Sequence, residues 1–157
     1  MKRAFLHGIS FGLTSGIITT LGMMVGMFSG TQSRTVVLSS IIIIAVADGM
    51  SDAFGVHISE ESDERNSSKH VWLSAFSTLL AKFLIGLLFA LIIFLLPLIN
   101  AIIINIVLGL ILLAFFSGYI AKKNNRPLTP AILEDLLIAI FVIIVGYYLG
   151  QFLSAWE

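Results

Sequence analysis

The sequence predicts an all-α integral membrane protein with five transmembrane helices. Of its 157 residues, 58% are hydrophobic and 11% are charged, whereas soluble domains carry about 25% charged residues. Mean hydropathy is +1.04. Five apolar segments are each long enough to cross a bilayer as a helix, which needs about 20 residues. We therefore expect one five-helix transmembrane domain that covers residues 1–157.

The five predicted spans follow one another closely along the chain. They are Phe5–Ser29, Thr35–Ile58, Val71–Leu96, Ile99–Ala121 and Ala131–Ser154. Short connections join them: Gly30–Arg34, Ser59–His70, Pro97–Leu98 and Lys122–Pro130. The first apolar run continues to Phe28, which is too long for the apolar region of about 7–15 residues in a cleavable signal peptide.

The positive charges predict the orientation, because Lys and Arg are enriched in cytoplasmic loops. One side of the predicted bundle carries seven of them: Lys2, Arg3, Arg65, Lys69, Lys122, Lys123 and Arg126. The opposite side carries only Arg34, and Lys82 lies inside the third span. We therefore expect the N-terminus and the second and fourth connections in the cytoplasm and the C-terminus outside. As a separate expectation, we place the protein in the plasma membrane.

Small residues recur every four positions in the first span. The two series are Gly8, Gly12 and Gly16, then Gly22, Gly26 and Gly30. This spacing lets helix backbones approach closely in lipid, either within one chain or between subunits. We expect the glycine face, together with the hydroxyl of Ser15, to lie in a homodimer interface.

The second span contains two acids, Asp48 and Asp52, inside an apolar run. An acid at the centre of a bilayer costs about 2.5–3.5 kcal/mol on insertion scales, and such residues usually face a bundle interior or a water-filled path. Four residues apart, the two acids share one helix face, which Gly55 and Ser59 continue. We interpret this face as one wall of a cation site.

Lys82 in the third span is predicted to pair with Asp48. Lys82 lies about eleven residues and Asp48 about ten residues from the same end of their spans, so their depths match. A role in ion coupling is one interpretation. The alternatives are a static ion pair, or a side chain that extends toward the cytoplasm.

Other side chains could complete a metal site. Ser15 could supply a hydroxyl ligand. Met23, Met27 and Met50 could supply soft ligands, although methionines more often fill gaps in a core. If the second span continues as a helix past Ile58, its acids could form a cytoplasmic metal-gathering patch that includes Glu60; otherwise they form a solvated loop. In such a helix, two pairs of residues in this patch would lie one turn apart: His57 with Glu61, and Glu60 with Glu64.

Several classes of function are not expected. The chain has no cysteine, which removes disulfides and thiolate chemistry. Its formal net charge is zero, so nothing indicates a nucleic-acid partner. The sequence has no metalloprotease, nucleophile-elbow or phosphate-loop motif, so we expect neither an enzyme nor a bound cofactor.

Four stretches of the sequence share their order and pattern with one family: GLTSGIITTLGMMVGMFSG, ADGMSDAFGVHIS, LLPL, and GLILLAFFSGYIAKKNNRPLTPAILEDLLIAIFVIIVGYYLGQFL. Through these stretches, nearly the whole chain resembles the vacuolar iron transporter family of Fe²⁺/Mn²⁺ transporters. The resemblance implies five transmembrane helices, a cytoplasmic N-terminus and a dimer whose interface forms the ion path.

The chain departs from the pattern of that family at its site residues. Ser15 stands where the family has Asp, Asp52 where it has Met, and Val56 where it has Glu, and Asp48 is an additional acid. The family's helical metal-binding insert is absent, since only Ser59–His70 joins the second and third spans. The residues therefore predict a divergent member with a rearranged membrane site.

The sequence thus predicts a homodimeric transporter in the lipid bilayer that exports Fe²⁺ or Mn²⁺ in exchange for protons. The metal is a transported substrate, bound by Asp48 and Asp52. Two alternatives remain: a proton-coupled carrier of another substrate, and a membrane scaffold of the same fold that transports nothing.

Overall fold

The computed structural model describes residues 2–156, which form an all-α bundle without strands. Five helices account for most of these residues: α1 (Lys2–Thr31), α2 (Arg34–Glu61), α3 (Ser68–Leu95), α4 (Leu98–Lys123) and α5 (Leu128–Ser154). Each of the five is long and apolar enough to cross a membrane. The architecture is that of a multi-pass membrane protein, as predicted.

The helices begin and end close to the predicted boundaries, and most extend further. α1 continues to Thr31, so only two residues separate it from α2, whose N-cap Ser33 accepts a hydrogen bond from the backbone of Val36. α2 continues past Ile58 to Glu61, and the connection to α3 shortens to residues 62–67. The polar ends of the helices lie beyond the apolar spans, so hydropathy underestimates their length.

α1 lies at the centre of the bundle and packs against all four other helices. Its first glycine series contacts α3: a methyl group added at Gly12 would lie 2.6 Å from the carbonyl oxygen of Thr78. Its second series contacts α5, where a methyl group added at Gly30 would lie 2.9 Å from the carbonyl oxygen of Gly150. The absence of side chains lets these backbones touch.

The expectation that the glycine face of α1 forms a homodimer interface is therefore wrong. Both glycine series are used by contacts within one chain, because α1 needs two close neighbours, α3 on one side and α5 on the other. An apolar core of Ile17, Leu21, Ile41 and Phe89 fills the space among α1, α2 and α3. The bundle thereby places one face of α2 beside the hydroxyl groups of α1.

Candidate functional site

Two carboxylates and one ammonium group meet inside the bundle, and we call these three side chains the inner cluster. Asp48 and Asp52 lie one turn apart on α2, and Lys82 reaches them from α3 with only 2% of its side chain exposed. Lys82 Nζ is 2.5 Å from Asp52 Oδ2 and also forms a salt bridge with Asp48 Oδ2. The predicted ion pair is confirmed, and Lys82 does not extend toward the end of the bundle.

α1 adds two hydroxyl groups to the inner cluster. Ser15 Oγ donates a hydrogen bond to Asp52 Oδ2 at 2.9 Å, and Thr19 Oγ1 lies 3.1 Å from Asp48 Oδ2. The Thr19 hydroxyl also lies 3.0 Å from the carbonyl oxygen of Ser15, and it has a single proton to share between these acceptors. The one-turn spacing of Ser15 and Thr19 matches that of the two acids, a signal that the sequence already carried.

Each carboxylate keeps one oxygen available. The hydrogen bonds from α1 and the ion-pair contacts of Lys82 go to the Oδ2 atoms, and within residues 2–156 no hydrogen bond reaches either Oδ1. The side chains of Asp48 and Asp52 remain 29% and 23% exposed, whereas Lys82 is buried behind them. A cation could therefore approach the carboxylates from the side opposite Lys82.

The exposed surface beside these oxygens is small and polar. Ala47, Ser51, Gly55 and Ser59 are exposed on α2 next to the two acids. In the described part of the chain, a methyl group built on Gly55 would meet nothing within 4 Å beyond the adjoining turns of α2. We call these four residues with Asp48 and Asp52 the polar strip. Elsewhere α2 exposes large apolar side chains such as Ile43, Phe54 and Ile58.

A second group of polar side chains lies at the N-terminal end of the bundle, which holds the start of α1 and the connection from α2 to α3. Glu60 of α2 lies between His7 of α1 and His70 of α3, with Nε2–oxygen distances of 3.6 Å and 3.3 Å. Asn66 Nδ2 donates a hydrogen bond to Glu60 Oε2 at 2.8 Å. Glu60 was predicted from the sequence, whereas His7 and Asn66 were not.

The two polar groups lie along one antiparallel seam between α1 and α2. Moving from Glu60 to Asp52 takes two turns back along α2, and moving from His7 to Ser15 takes two turns forward along α1. The next turn pairs Asp48 with Thr19. His7 could have been found from this register once Ser15 was paired with Asp52.

The remaining acids near Glu60 are mostly engaged by other partners. Because α2 continues to Glu61, His57 and Glu61 are one turn apart and 3.7 Å from each other, as the patch required. Hydrogen bonds from the Arg65 side chain, and then from its backbone, hold the pKa of Asp63 below its ordinary value. Glu64 lies beyond the helix, so the expected one-turn pairing of Glu60 with Glu64 is wrong.

Of the three predicted methionines, two lie away from the inner cluster and Met23 lies closest to it along α1. Met50 is exposed and lines a groove with Phe54 and Trp72. It is two residues from Asp48 in the sequence, and side chains at that spacing do not share a helix face. Met27 packs against the apolar core. Met23 is half-buried one turn beyond Thr19, in line with the seam. Among the methionines, Met24 makes a polar contact, accepting from Asn105 Nδ2 at 3.4 Å.

The inner cluster can bind a cation through oxygen atoms alone. Two carboxylates and two hydroxyl groups are hard ligands, which suit Mg²⁺, Ca²⁺ and Mn²⁺ and are accepted by Fe²⁺. With all three side chains charged, two acids and one ammonium give the cluster a net charge of −1 in each chain. The cluster therefore attracts cations, although Lys82 already occupies one side of it.

Comparison of the sequence with known proteins identified no relative. No family model matches the chain, and no curated protein matches its sequence. Membership of the vacuolar iron transporter family stays a prediction that rests on the residue patterns quoted above.

Proposed function

We propose that this chain is a transporter of divalent metal ions, Fe²⁺ or Mn²⁺, that works as a homodimer and exports metal in exchange for protons. The single observation that carries the proposal is a pair of partly exposed carboxylates inside an apolar helical bundle. Ionisable groups at such positions are costly and mark ion pathways and proton relays. The resemblance to the vacuolar iron transporter family supports the same ion class.

The polar strip supports the homodimer. Polar residues exposed on a membrane helix are unfavourable next to lipid, and contacts between membrane helices are enriched in small residues. A second copy that packs against the strip would cover Ser51 and Gly55 and would bring four carboxylates to one path. This interface replaces the glycine face of α1, which packs inside the chain.

The charge of such a dimer suits a divalent ion. Each chain contributes a net charge of −1 at the inner cluster, so two chains contribute −2, which one divalent cation neutralises. Lys82 lowers the negative charge that the path would otherwise hold, since four carboxylates alone would carry −4. In this proposal the carboxylates release metal when they take up protons, and Lys82 keeps them from binding the metal too tightly.

Metal flux into proteoliposomes tests this function. The purified chain is reconstituted with a divalent-sensitive dye inside the vesicles, and Fe²⁺ or Mn²⁺ is added outside, with and without a pH gradient. We expect metal influx that is faster when the interior is acidic, because exchange for protons couples the two gradients. Protein-free vesicles are the control. A chain that carries neither ion at any pH would contradict the proposal.

A second candidate function is a proton-coupled carrier of another cation. The observation that favours it is the pairing of the Lys82 ammonium group with both carboxylates. This pairing lowers the negative charge that would otherwise hold a divalent metal ion. In the same vesicles, Na⁺, K⁺, Mg²⁺ and Ca²⁺ are tested by their ability to dissipate or create a pH gradient. Proton movement driven by one of these ions, with no response to Fe²⁺ or Mn²⁺, would favour the second function.

A further inference from the structure

A polar cavity lies between α1, α4 and α5 at the end of the bundle where α1 begins. Its volume is about 730 Å³, within the range of about 300–1,000 Å³ that is typical of ligand sites. Neither the inner cluster nor the polar strip contributes a side chain to its lining. The proposed transport function therefore leaves this cavity without a role.

Five charged side chains line the cavity, with opposite signs on different helices. Arg3 lies near the start of α1, Lys123 ends α4, and Arg126 follows in the connection to α5. Glu134 and Asp135 lie about two turns into α5. Among the side chains of residues 3–156, none of these five forms an ion pair. Cations and acids around one cavity are thus all available to a ligand.

Two hydroxyl groups in the cavity also lack a partner. Ser117 of α4 is only 4% exposed, yet within the described chain its hydroxyl makes no hydrogen bond, and neither does that of Ser10 on α1. Helical hydroxyls commonly bond to the carbonyl one turn back, as Thr14 does to Ser10. Ser117 precedes Lys123 by six residues, about 9 Å along a helix. Hydrogen-bonding groups therefore continue into the bundle beyond the cationic side chains.

The cavity lies where the apolar stretches of two helices end, which is the level of the lipid headgroups. Ala121 at the end of the apolar stretch of α4 and Ala131 at the start of that of α5 both line it. Leu133 and Leu137, next to the acids along α5, are 52% and 64% exposed. Basic pockets between membrane helices bind phospholipid headgroups. The position therefore favours a ligand that enters from the bilayer with its acyl chains along α5.

We propose that the cavity binds the headgroup of an aminophospholipid, a lipid with a phosphodiester and a primary ammonium group. The three cationic side chains bind the phosphate oxygens, for which the guanidinium groups supply paired N–H donors. The two acids of α5 accept hydrogen bonds from the ammonium group. The hydroxyls of Ser10 and Ser117 donate to the remaining headgroup oxygens. One ligand thus satisfies both signs of charge in the cavity.

The two acids determine which headgroup binds. Cations alone would favour lipids with a net negative charge, such as phosphatidylglycerol, whereas two carboxylates repel such a lipid and attract an ammonium group. A primary ammonium group donates three hydrogen bonds, and the fully methylated amine of phosphatidylcholine has no N–H to donate. The cavity therefore prefers phosphatidylethanolamine to both of these lipids.

Native mass spectrometry of the purified full-length chain tests the site. The chain in detergent is titrated with phosphatidylethanolamine, phosphatidylcholine or phosphatidylglycerol carrying identical acyl chains, and the lipid-bound peaks give the affinities. We expect the wild type to bind phosphatidylethanolamine most tightly. Arg126→Gln should weaken this binding about tenfold, the loss expected for charge-assisted hydrogen bonds to a phosphate. The double variant Glu134→Gln/Asp135→Asn should bind phosphatidylethanolamine no more tightly than phosphatidylcholine.

Matched controls separate the cavity from the general charge of this end of the bundle. Lys69 and Glu64 lie at the same end and do not line the cavity. Lys69→Gln should therefore keep the wild-type affinity for phosphatidylethanolamine, and Glu64→Gln should keep the wild-type preference among the three lipids. Circular dichroism verifies that each variant is folded, and Lys123→Gln provides a second variant at the phosphate.

Three results would overturn the proposal. The first is a wild type that binds phosphatidylethanolamine no more tightly than the other two lipids. The second is a wild-type affinity in both Arg126→Gln and Lys123→Gln. The third is soluble phosphoethanolamine that binds as tightly as the lipid, which would make the ligand a free solute. Because these titrations contain no metal and measure no flux, their outcome is independent of the transport proposal.

Discussion

The three residues of the inner cluster differ in position and in the contacts they make. Asp52 lies one turn nearer than Asp48 to the end of the bundle where α1 begins, and it accepts the hydrogen bond from Ser15. Asp48 lies deeper and beside Thr19. Lys82 contacts both acids, so a change at any one of the three alters the charge that the other two experience.

Replacement of Asp52 by Asn should reduce metal flux at least tenfold. Asn keeps the shape of the side chain but removes its charge and its site for a proton, and without that charge the cluster has no net attraction for a cation. Flux into dye-loaded proteoliposomes measures the effect, with Glu64→Gln, outside the helices, as the control. Fe²⁺ and Mn²⁺ transport by Asp52→Asn at the wild-type rate across pH would place the ion path elsewhere.

Replacement of Lys82 by Met should destabilise the fold. Removing one partner of a buried ion pair typically costs about 3–5 kcal/mol, because the other charge is left uncompensated. We expect a lower thermal unfolding temperature in detergent for Lys82→Met and a partial recovery in the double variant Lys82→Met/Asp48→Asn. If the single variant unfolds at the wild-type temperature, the ion pair contributes nothing to stability.

At the scale of helices, hydropathy and periodicity predicted most of what the structure contains. The five spans, the shared face of the two acids and the matched depth of Lys82 follow from patterns local to one helix or from simple counting along two. Those patterns did not predict which neighbouring helix packs against each helix face. Glycine spacing indicates a close neighbour without saying which one, and the contact of His7 with Glu60 depends on the register between α1 and α2.

The glycine contacts predict a contrast between two positions. A methyl group at Gly12 would meet the backbone of Thr78, and overpacking of this kind typically costs about 1–3 kcal/mol. Among the described residues, nothing beyond the adjoining turns of α2 lies within 4 Å of a methyl group at Gly55, and Ala is favoured over Gly by about 1 kcal/mol in a helix. We therefore expect Gly12→Ala to lower the thermal unfolding temperature and Gly55→Ala to maintain or raise it. Equal effects at both positions would contradict the packing of α1 against α3.

At the scale of the whole molecule, the polar strip predicts which surfaces meet in a dimer. The chain has no cysteine, so a single introduced thiol reports contact between two copies without competition. We expect Gly55→Cys to form a disulfide-linked dimer in membranes under mild oxidation, because a two-fold axis beside the strip brings equivalent positions together. Ile111→Cys, on an exposed face of α4, is the control and should stay monomeric on a non-reducing gel. Efficient linkage through position 111, with none through position 55, would assign the interface to α4 and leave the carboxylates of each chain facing lipid, a position too costly for charged acids to hold.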